Sequence, residues 1–316
     1  MFEKIAFLGS NVTFISKDKD CWVYKVKDDS GEGTMTCYSV FPGIILNYND
    51  FHMEKCVSEF KPSVEMYSIN HCREGRIEWE LDPNHYIYLE TGDLQLNTQK
   101  SHANNFSFPL KHYHGLTVGI FPHEASKSLK GVLEGYDVDI YELINKFSIS
   151  EKPFIMRAGL SIAHIFSELY NVPEKIRPSY HKIKILELLL FLSAVDAPVT
   201  ECERPYFHRN QVEKIKRIMA FLIEQPQKHY TLTELSSMYD ISLTAMKQCF
   251  KAVYGTSIYN YMRTYRMNAA AIMLKTTDDS IGEISSAMGY DNPSKFSAAF
   301  KEIIGIAPRD YRKSIV

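Results

Sequence analysis

The spacing of hydrophobic and polar residues changes period along the chain. From Met1 to about Ser128 they alternate in short runs, among them Trp22-Val23-Tyr24-Lys25-Val26, Thr36-Cys37-Tyr38-Ser39-Val40-Phe41 and Tyr86-Ile87-Tyr88-Leu89. Breakers such as Asp28-Asp29-Ser30-Gly31, Pro42-Gly43 and Thr91-Gly92-Asp93 separate the runs, which predicts an antiparallel sandwich or barrel. From Asp137 to Ala197 the period becomes helical. One helix is predicted from about Pro153 to Tyr170 and a second from about Pro178 to Ala194. The second is apolar nearly all round, through Ile183, Ile185, Leu186 and Leu188 to Leu192, so it needs cover on almost every side. That need marks Ile183, Leu186 and Leu190 as candidates for a homodimer contact.

The segment from His208 to Val316 is helical in pattern throughout, and it repeats itself. Glu234-Leu235-Ser236-Ser237 returns as Glu283-Ile284-Ser285-Ser286, and Met246, Phe250-Lys251 and Gly255 return as Phe296, Phe300-Lys301 and Gly305. The second half of the repeat is displaced by one further residue, around Gly289-Tyr290-Asp291, where a turn absorbs an insertion at least cost. Each copy reads as a short helix, a turn and a longer helix, the helix-turn-helix layout.

In the first copy Ser242 is the N-cap, and Met246, Cys249, Phe250 and Val253 form the stripe to be buried. In the second, Asn292 caps, Pro293 opens the helix, and Phe296, Ala299, Phe300 and Ile303 are buried. The opposite faces display Leu243, Thr244, Lys247 and Gln248, and then Pro293, Ser294, Ser297 and Ala298. A helix-turn-helix puts the start of its second helix into the DNA major groove. Lys247 suits guanine O6/N7, Gln248 adenine N6/N7, and Thr244 a hydrogen bond or a thymine methyl. The small residues of the second copy point to a division of labour, with base reading mainly in the first unit and phosphate contact and register in the second. Thr231, Lys251, Ser280, Lys295 and Lys301 are the candidates for phosphate.

Net charge alone conceals this. The 316 residues carry 36 Lys+Arg and 38 Asp+Glu, a formal charge of -2, which gives no sign of a nucleic-acid partner. Resolved by segment, residues 208–316 hold 15 Lys+Arg against 10 Asp+Glu, and the rest is acidic. With 45% hydrophobic and 23% charged residues the composition is that of an ordinary globular protein. No run approaches the ~20 apolar residues of a membrane span, and the N-terminus lacks a signal-peptide core, so a cytoplasmic protein without membrane partners is expected. The six cysteines show no CxxC pairing and read as reduced thiols.

Residues 208–316 resemble the DNA-binding domain of the AraC/XylS family of bacterial transcription regulators. The resemblance rests on Thr231-Leu232-Thr233-Glu234-Leu235, Phe250-Lys251 with Gly255, Tyr261-Met262-Arg263 with Arg266 and Ala269, Ser280-Ile281-Gly282-Glu283-Ile284, Gly289-Tyr290, Ser294-Lys295-Phe296, Phe300-Lys301, Gly305 and Pro308-Arg309-Asp310-Tyr311-Arg312. It implies two helix-turn-helix units joined by a long helix, about Ser257 to Lys275, and an N-terminal sensing or dimerisation domain, often a cupin-like barrel. Ala298 stands where many members carry a longer polar residue. The earlier part of the chain, through Phe41-Pro42-Gly43-Ile44, Phe108-Pro109-Leu110, Tyr113-His114-Gly115 and the helix from Tyr180, is similar to the sensing region of siderophore-responsive members.

The resulting expectation is an α+β protein in three parts. Residues 1–136 form a cupin-like β-barrel that senses, residues 137–207 a helical linker and dimerisation subdomain, and residues 208–316 an all-α domain with two helix-turn-helix units. The expected function is a sequence-specific transcription regulator switched by a small-molecule effector. Its partners are operator DNA, a second copy of the chain and, as a further candidate, RNA polymerase. Tyr38, Trp79, Tyr86, Tyr88 and His112 are the candidate pocket residues. Two alternatives remain open: an N-terminal half that only dimerises, and a cupin-type metalloenzyme. The pair His112 and His114 lies on one face of a strand, but no carboxylate follows at cupin spacing and neither His85 nor His102 can be placed beside it. No metal site, cofactor or catalytic residue is therefore expected, and no P-loop, GxSxG, HExxH or dinucleotide fingerprint occurs. Arg266, among Met267, Ala269 and Ala270 on the long helix, is expected to pack or pair rather than to touch phosphate.

Overall fold

The computed structural model describes residues 6–7, 9–57, 61–62, 64–98, 105–147, 153–196 and 206–314. The chain divides into two compact units, Met1–Tyr206 and Phe207–Val316.

The first unit contains strands β1 (Ala6–Phe7), β2 (Val12–Asp18), β3 (Cys21–Asp28), β4 (Gly31–Phe41), β5 (Ile44–His52), β6 (Lys55–Val57), β7 (Lys61–Pro62), β8 (Tyr67–Asp82), β9 (His85–Glu90), β10 (Asp93–Thr98), β11 (Asn105–Ser107), β12 (Tyr113–Ile120) and β13 (Phe154–Arg157). The main sheet runs β13-β10-β8-β12-β5-β4-β3-β2, and β1 pairs separately with β7. All its pairings are antiparallel. Strand β8 serves two leaves. Its first half pairs with β10 and β12, and its second half, beyond an irregularity opposite His114 and Gly115, pairs with β9 and β11.

Period-2 alternation gives this sheet two faces of different chemistry. Ile44, Leu46, Ile69, Leu94, Leu116, Val118 and Ile120 point to one side, where they share a core with the helices α1 (Pro122–Leu129), α2 (Ile140–Phe147), α3 (Leu160–Leu169) and α4 (Arg177–Ala194). Residues of the other side, among them Val26, Ile77, Trp79, Phe108, Tyr113 and Ile155, form a second cluster. The helices after residue 137 thus pack into the same core as the sheet. The helix predicted from Pro153 to Tyr170 needs correction: Phe154–Arg157 is the edge strand β13, with Phe154 opposite Leu96 and Met156 opposite Leu94, and the helix begins at Leu160. A four-residue apolar run has no periodicity of its own, and the open edge of β10 decides for strand.

On α4, His181, Lys184, Ile185, Leu188, Leu189 and Leu192 are buried, whereas Ile183 and Leu190 are 59% and 42% exposed, two turns apart on one side. Lys184 is tied to Glu187 at 2.7 Å and also to Glu168 of α3, which lets a charged group lie in this interface. Five cysteines, Cys21, Cys37, Cys56, Cys72 and Cys249, are free thiols, and Cys202 lies outside the described residues. No helix among the described residues is long and apolar enough to cross a membrane.

Two histidines are sealed between sheet and helices. His71 stacks on Phe166 with ring centroids 4.1 Å apart, and His181 Nε2 lies 3.0 Å from the Tyr48 hydroxyl, which donates to the Leu169 carbonyl. Burial lowers both imidazoles to about 4, with Arg177 reinforcing the effect at His181, so both are neutral at pH 7. Their unfolded counterparts titrate near 6.5. As the pH falls from about 6.5 to 4 the unfolded chain takes up protons that the folded unit refuses, so stability drops across that window and levels off below it. The loss is expected to reach about 3 kcal/mol per histidine at most. Both tryptophans lie in this unit, so denaturant titrations followed by tryptophan fluorescence at pH 7 and pH 5 measure it. The double variant His71→Phe, His181→Phe should flatten the dependence; an undiminished slope would assign the effect to other groups.

Candidate nucleic-acid interface and ligand cavity

The second unit holds α5 (Arg209–Glu224), α6 (Leu232–Met238), α7 (Leu243–Tyr254), α8 (Ile258–Thr276), α9 (Ile281–Ala287), α10 (Pro293–Ile304) and α11 (Pro308–Lys313). Helices α6–α7 and α9–α10 are the two copies of the sequence repeat, and α8 joins them. The duplication extends to individual hydrogen bonds. Thr231 and Ser280 each close a capping box with the glutamate three residues on, Glu234 and Glu283. Ser236 Oγ donates to the Ile241 carbonyl and Ser285 Oγ to the Tyr290 carbonyl, locking each turn. Asp240 and Gly289 occupy the same left-handed turn position, with φ of 46° and 77°.

The inserted residue, Asp291, falls directly before the second N-cap. Ser242 caps α7 through Ala245 N, and Asn292 caps α10 through the amides of Ser294 and Lys295. Gly255 and Gly305 end the two helices in the left-handed conformation.

Met246, Cys249, Phe250 and Val253 are buried, as are Phe296, Ala299 and Phe300, with Ile303 partly so. The opposite faces are therefore the ones on offer. Leu243, Thr244, Lys247, Gln248 and Lys251 on α7 are exposed, and so are Pro293, Ser294, Lys295, Ala298 and Lys301 on α10, while Ser297 is half-buried. Lys247 and Lys251 line one concavity with Thr231, His229 and Tyr259. The Thr231 hydroxyl donates to Glu234 Oε2 at 2.8 Å and accepts from its amide, and Ser280 Oγ accepts from Glu283 N, so both hydroxyls are engaged in capping.

Arg266 explains how the two copies are held together. It is 7% exposed, and its partners are carbonyls: Nε donates to Pro226 O at 2.7 Å and Nη2 to Lys228 O at 2.9 Å. From the same loop, His229 Nε2 lies 2.7 Å from the Gly289 carbonyl in the turn of the second copy. A side chain at Gly289 would put its Cβ 2.5 Å from the Gln227 carbonyl. Across the other side, Arg263 of α8 makes a bidentate pair with Glu302 of α10 at 2.9 and 2.5 Å.

In the first unit, a cavity of about 190 Å³ lies against the face of the sheet turned away from the helices. Phe51, Ile77, Trp79, Phe106, Phe108 and Tyr113 supply an aromatic and apolar wall. The other wall is a row of neutral polar side chains across four adjacent strands: Asn47 and Asn49 of β5, Thr117 of β12, Ser68 and Asn70 of β8, and Gln95 and Asn97 of β10. Within it Asn49 donates to Thr117, Thr117 to Asn70, and Asn70 to Gln95 at 2.9 Å. Asn47 Oδ1 and Asn11 Oδ1, both on the cavity, are buried without a hydrogen-bond partner.

Of the five predicted pocket residues only Trp79 lines this cavity, and the structure places the other four elsewhere. Tyr38 lies on the opposite face of β4 from the lining Met35 and Cys37, its ring 4.9 Å from that of His181. Tyr88 is buried and donates to Glu78 Oε2 at 2.6 Å. Tyr86 is not in the lining, and His112 is held by the Leu110 carbonyl at 2.9 Å. The amide row carries no aromatic or charged marker in the sequence. Its signal is the interleaving of Asn47 and Asn49 with Leu46 and Tyr48, a strand apolar toward one side and uncharged polar toward the other.

Residues 235–314 match the family model described as a helix-turn-helix domain. A putative AraC-like transcription regulator of Streptomyces antibioticus is 32% identical over 95 residues, which is 30% of this chain and 31% of that protein. An uncharacterised HTH-type transcriptional regulator, YisR of Bacillus subtilis, is 33% identical over 93 residues, 28% of this chain and 32% of the relative. The chain thus matches about a third of the length of these relatives. Among solved structures, the DNA-binding domain of AdpA in complex with a target DNA aligns with 32% of this chain and 91% of its own, at 21% identity and a TM-score of 0.31. The C-terminal part of this chain is a helix-turn-helix domain, similar to that of AraC-like transcription regulators.

Proposed function

We propose that the protein is a sequence-specific transcription regulator whose N-terminal unit binds an uncharged small molecule. The observation that carries the DNA reading is the duplication itself: two helix-turn-helix units with matching caps, turns and buried stripes, each displaying the face of its second helix. Thr244, Lys247 and Gln248 read bases, with Leu243 beside them. Pro293, Ser294, Ser297 and Ala298 form the second, weaker reading face, while Lys251, Lys295 and Lys301 reach phosphates. Thr231 and Ser280 approach the backbone only through the helix ends they cap. A regulator needs no catalytic group, so this reading takes the chain to be no enzyme.

The cavity supports the effector reading and narrows it. Among the described residues no Arg, Lys, His, Asp or Glu lines the cavity, and there a charged ligand would lose hydration without gaining a partner. Two unpartnered amide oxygens call for a ligand that donates hydrogen bonds. A volume of about 190 Å³ lies below the roughly 300–1,000 Å³ of pockets for drug-sized ligands. The favoured effector is accordingly a small, neutral, partly aromatic molecule with hydroxyl or amide N–H groups. Its binding shifts the population between arrangements of the chain that present the DNA-binding domain differently. The exposed Ile183 and Leu190 on α4, with Leu186 between them, support a homodimer.

A thermal-shift screen of the full chain tests this, using pairs of neutral aromatic alcohols or amides and their carboxylate analogues. A neutral compound at 100 times its dissociation constant should add about 2.7 kcal/mol of stability. Its analogue should add nothing, and Asn47→Leu should abolish the response. If only carboxylates stabilise, the neutral-ligand reading fails. Sedimentation of the same samples reads the dimer, which Ile183→Asp with Leu190→Asp should dissociate; an unchanged mass would move the contact elsewhere.

A further inference from the structure

Metal binding at His112 and His114 is unattractive from sequence because no carboxylate follows them. Strand pairing changes the neighbourhood of His114. In the antiparallel register of β12 with β5, His114 stands directly opposite Asp50 and diagonal to His52, and on its other flank it stands opposite Glu74 of β8. His114 Nε2 is 2.9 Å from Asp50 Oδ1 and 3.3 Å from His52 Nε2, and His52 Nε2 is 2.9 Å from the same carboxylate oxygen. His112 is not one of this group: its Nδ1 is bonded to the Leu110 carbonyl, and its ring lies edge-on to that of His114 with centroids 6.1 Å apart.

We propose that Asp50, His52 and His114 form a divalent transition-metal site of the zinc type, a clamp across β5 and β12. Three observations carry it. Two imidazole nitrogens and a carboxylate oxygen make a triangle with edges of 2.9, 2.9 and 3.3 Å. That is close to one face of a tetrahedron with metal–ligand bonds of about 2.0–2.1 Å, whose edge is about 3.3 Å. The donor set, two His nitrogens and one carboxylate, is one that zinc accepts, with the fourth position open to water because Asp50 and His52 are exposed.

The third observation is the support behind His114. Its other nitrogen, Nδ1, is 3.5 Å from Glu74 Oε2. A carboxylate on that side of the ring would favour the Nδ1–H tautomer and leave the Nε2 lone pair for the ion, as in the arrangement that orients metal-bound histidines. The site lies on the outer side of the sheet, because Phe51 and Tyr113, which alternate with its ligands, line the cavity on the inner side. It is therefore separate from the proposed effector site.

The test uses the full chain stripped of metal by a chelator and titrated with Zn²⁺ against a chromophoric competitor. Wild type should take up one tight equivalent. His52→Ala and His114→Ala should each weaken binding more than about tenfold, and Glu74→Gln by about 10- to 100-fold. His112→Ala should bind as wild type does. Circular dichroism confirms that the variants fold, since Asp50, His52 and Glu74 are exposed and His114 is partly so. In parallel, Zn²⁺ should raise the melting temperature of wild type and not of the His52→Ala, His114→Ala double variant. Binding by wild type no tighter than by the double variant would overturn the proposal. So would a loss in His112→Ala as large as in His52→Ala.

Discussion

Replacing Lys247 or Gln248 by alanine is expected to weaken operator binding by about 1–3 kcal/mol each and to relax base preference at particular positions of the site. Both side chains project from the exposed side of α7, one turn into a helix whose opposite stripe is fully buried, so neither substitution touches the core. Ser297→Ala should cost far less, because Ser297 is half-buried and offers one hydroxyl. Lys251→Ala and Lys301→Ala should differ in kind. A lysine on phosphate contributes equally to every sequence, so its loss weakens binding uniformly and reduces the salt dependence by about one charge. Selection of binding sites from a random pool, followed by titration at two salt concentrations, separates the two behaviours. Equal and sequence-independent losses at Lys247, Gln248 and Ser297 would refute the division of labour between the two units.

The largest effect on stability is expected at Arg266. Truncation to alanine removes a guanidinium buried under the long helix and leaves the Pro226 and Lys228 carbonyls without their donors. It also loosens His229, which reaches the Gly289 carbonyl in the second turn. Leaving a carbonyl without its donor costs about 1–3 kcal/mol, and two such losses are a large fraction of a domain's stability. Lysine should restore little of it, since a single ammonium cannot span two carbonyls as the planar fork does.

Helical circular dichroism of the full chain should show the C-terminal transition moved to lower temperature. Tryptophan fluorescence, which reports only the N-terminal unit, should show its transition unchanged. If Arg266→Ala instead leaves the helical transition in place and weakens DNA binding alone, Arg266 acts on phosphate and the clamp is refuted.

Arg266 marks a limit of what sequence can convey. Its apolar neighbours Met267, Ala269 and Ala270 predict burial, and it is buried, but the identity of its partners depends on a loop some 40 residues earlier in the chain. The helix-turn-helix units were far more legible. Caps, stops and buried stripes are relations between residues three to five apart, and the duplication displays each of them twice. In the N-terminal unit the strands were legible from alternation, whereas β13 was mistaken for helix because four apolar residues carry no period. The cavity was less legible, because alternation says which residues share a face and not which face encloses a cavity. On β4 that choice sends Cys37 inward and Tyr38 toward the helices.

The chain sequence by itself determined the class of this protein: an alternating β unit, apolar helices and a basic, duplicated helix-turn-helix domain whose exposed faces can be named. Those properties follow from local periodicity and side-chain chemistry. Only the tertiary structure decided the rest. It joined Asn49 through Thr117 to Asn70 and Gln95 across three strand pairings, brought Asp50 and His52 to His114, and tied Arg266 to the loop that supports the second turn. The physical reason is that strand register and helix packing set contacts between residues far apart in the chain, and no pattern of neighbours records which distant partner a polar group will find.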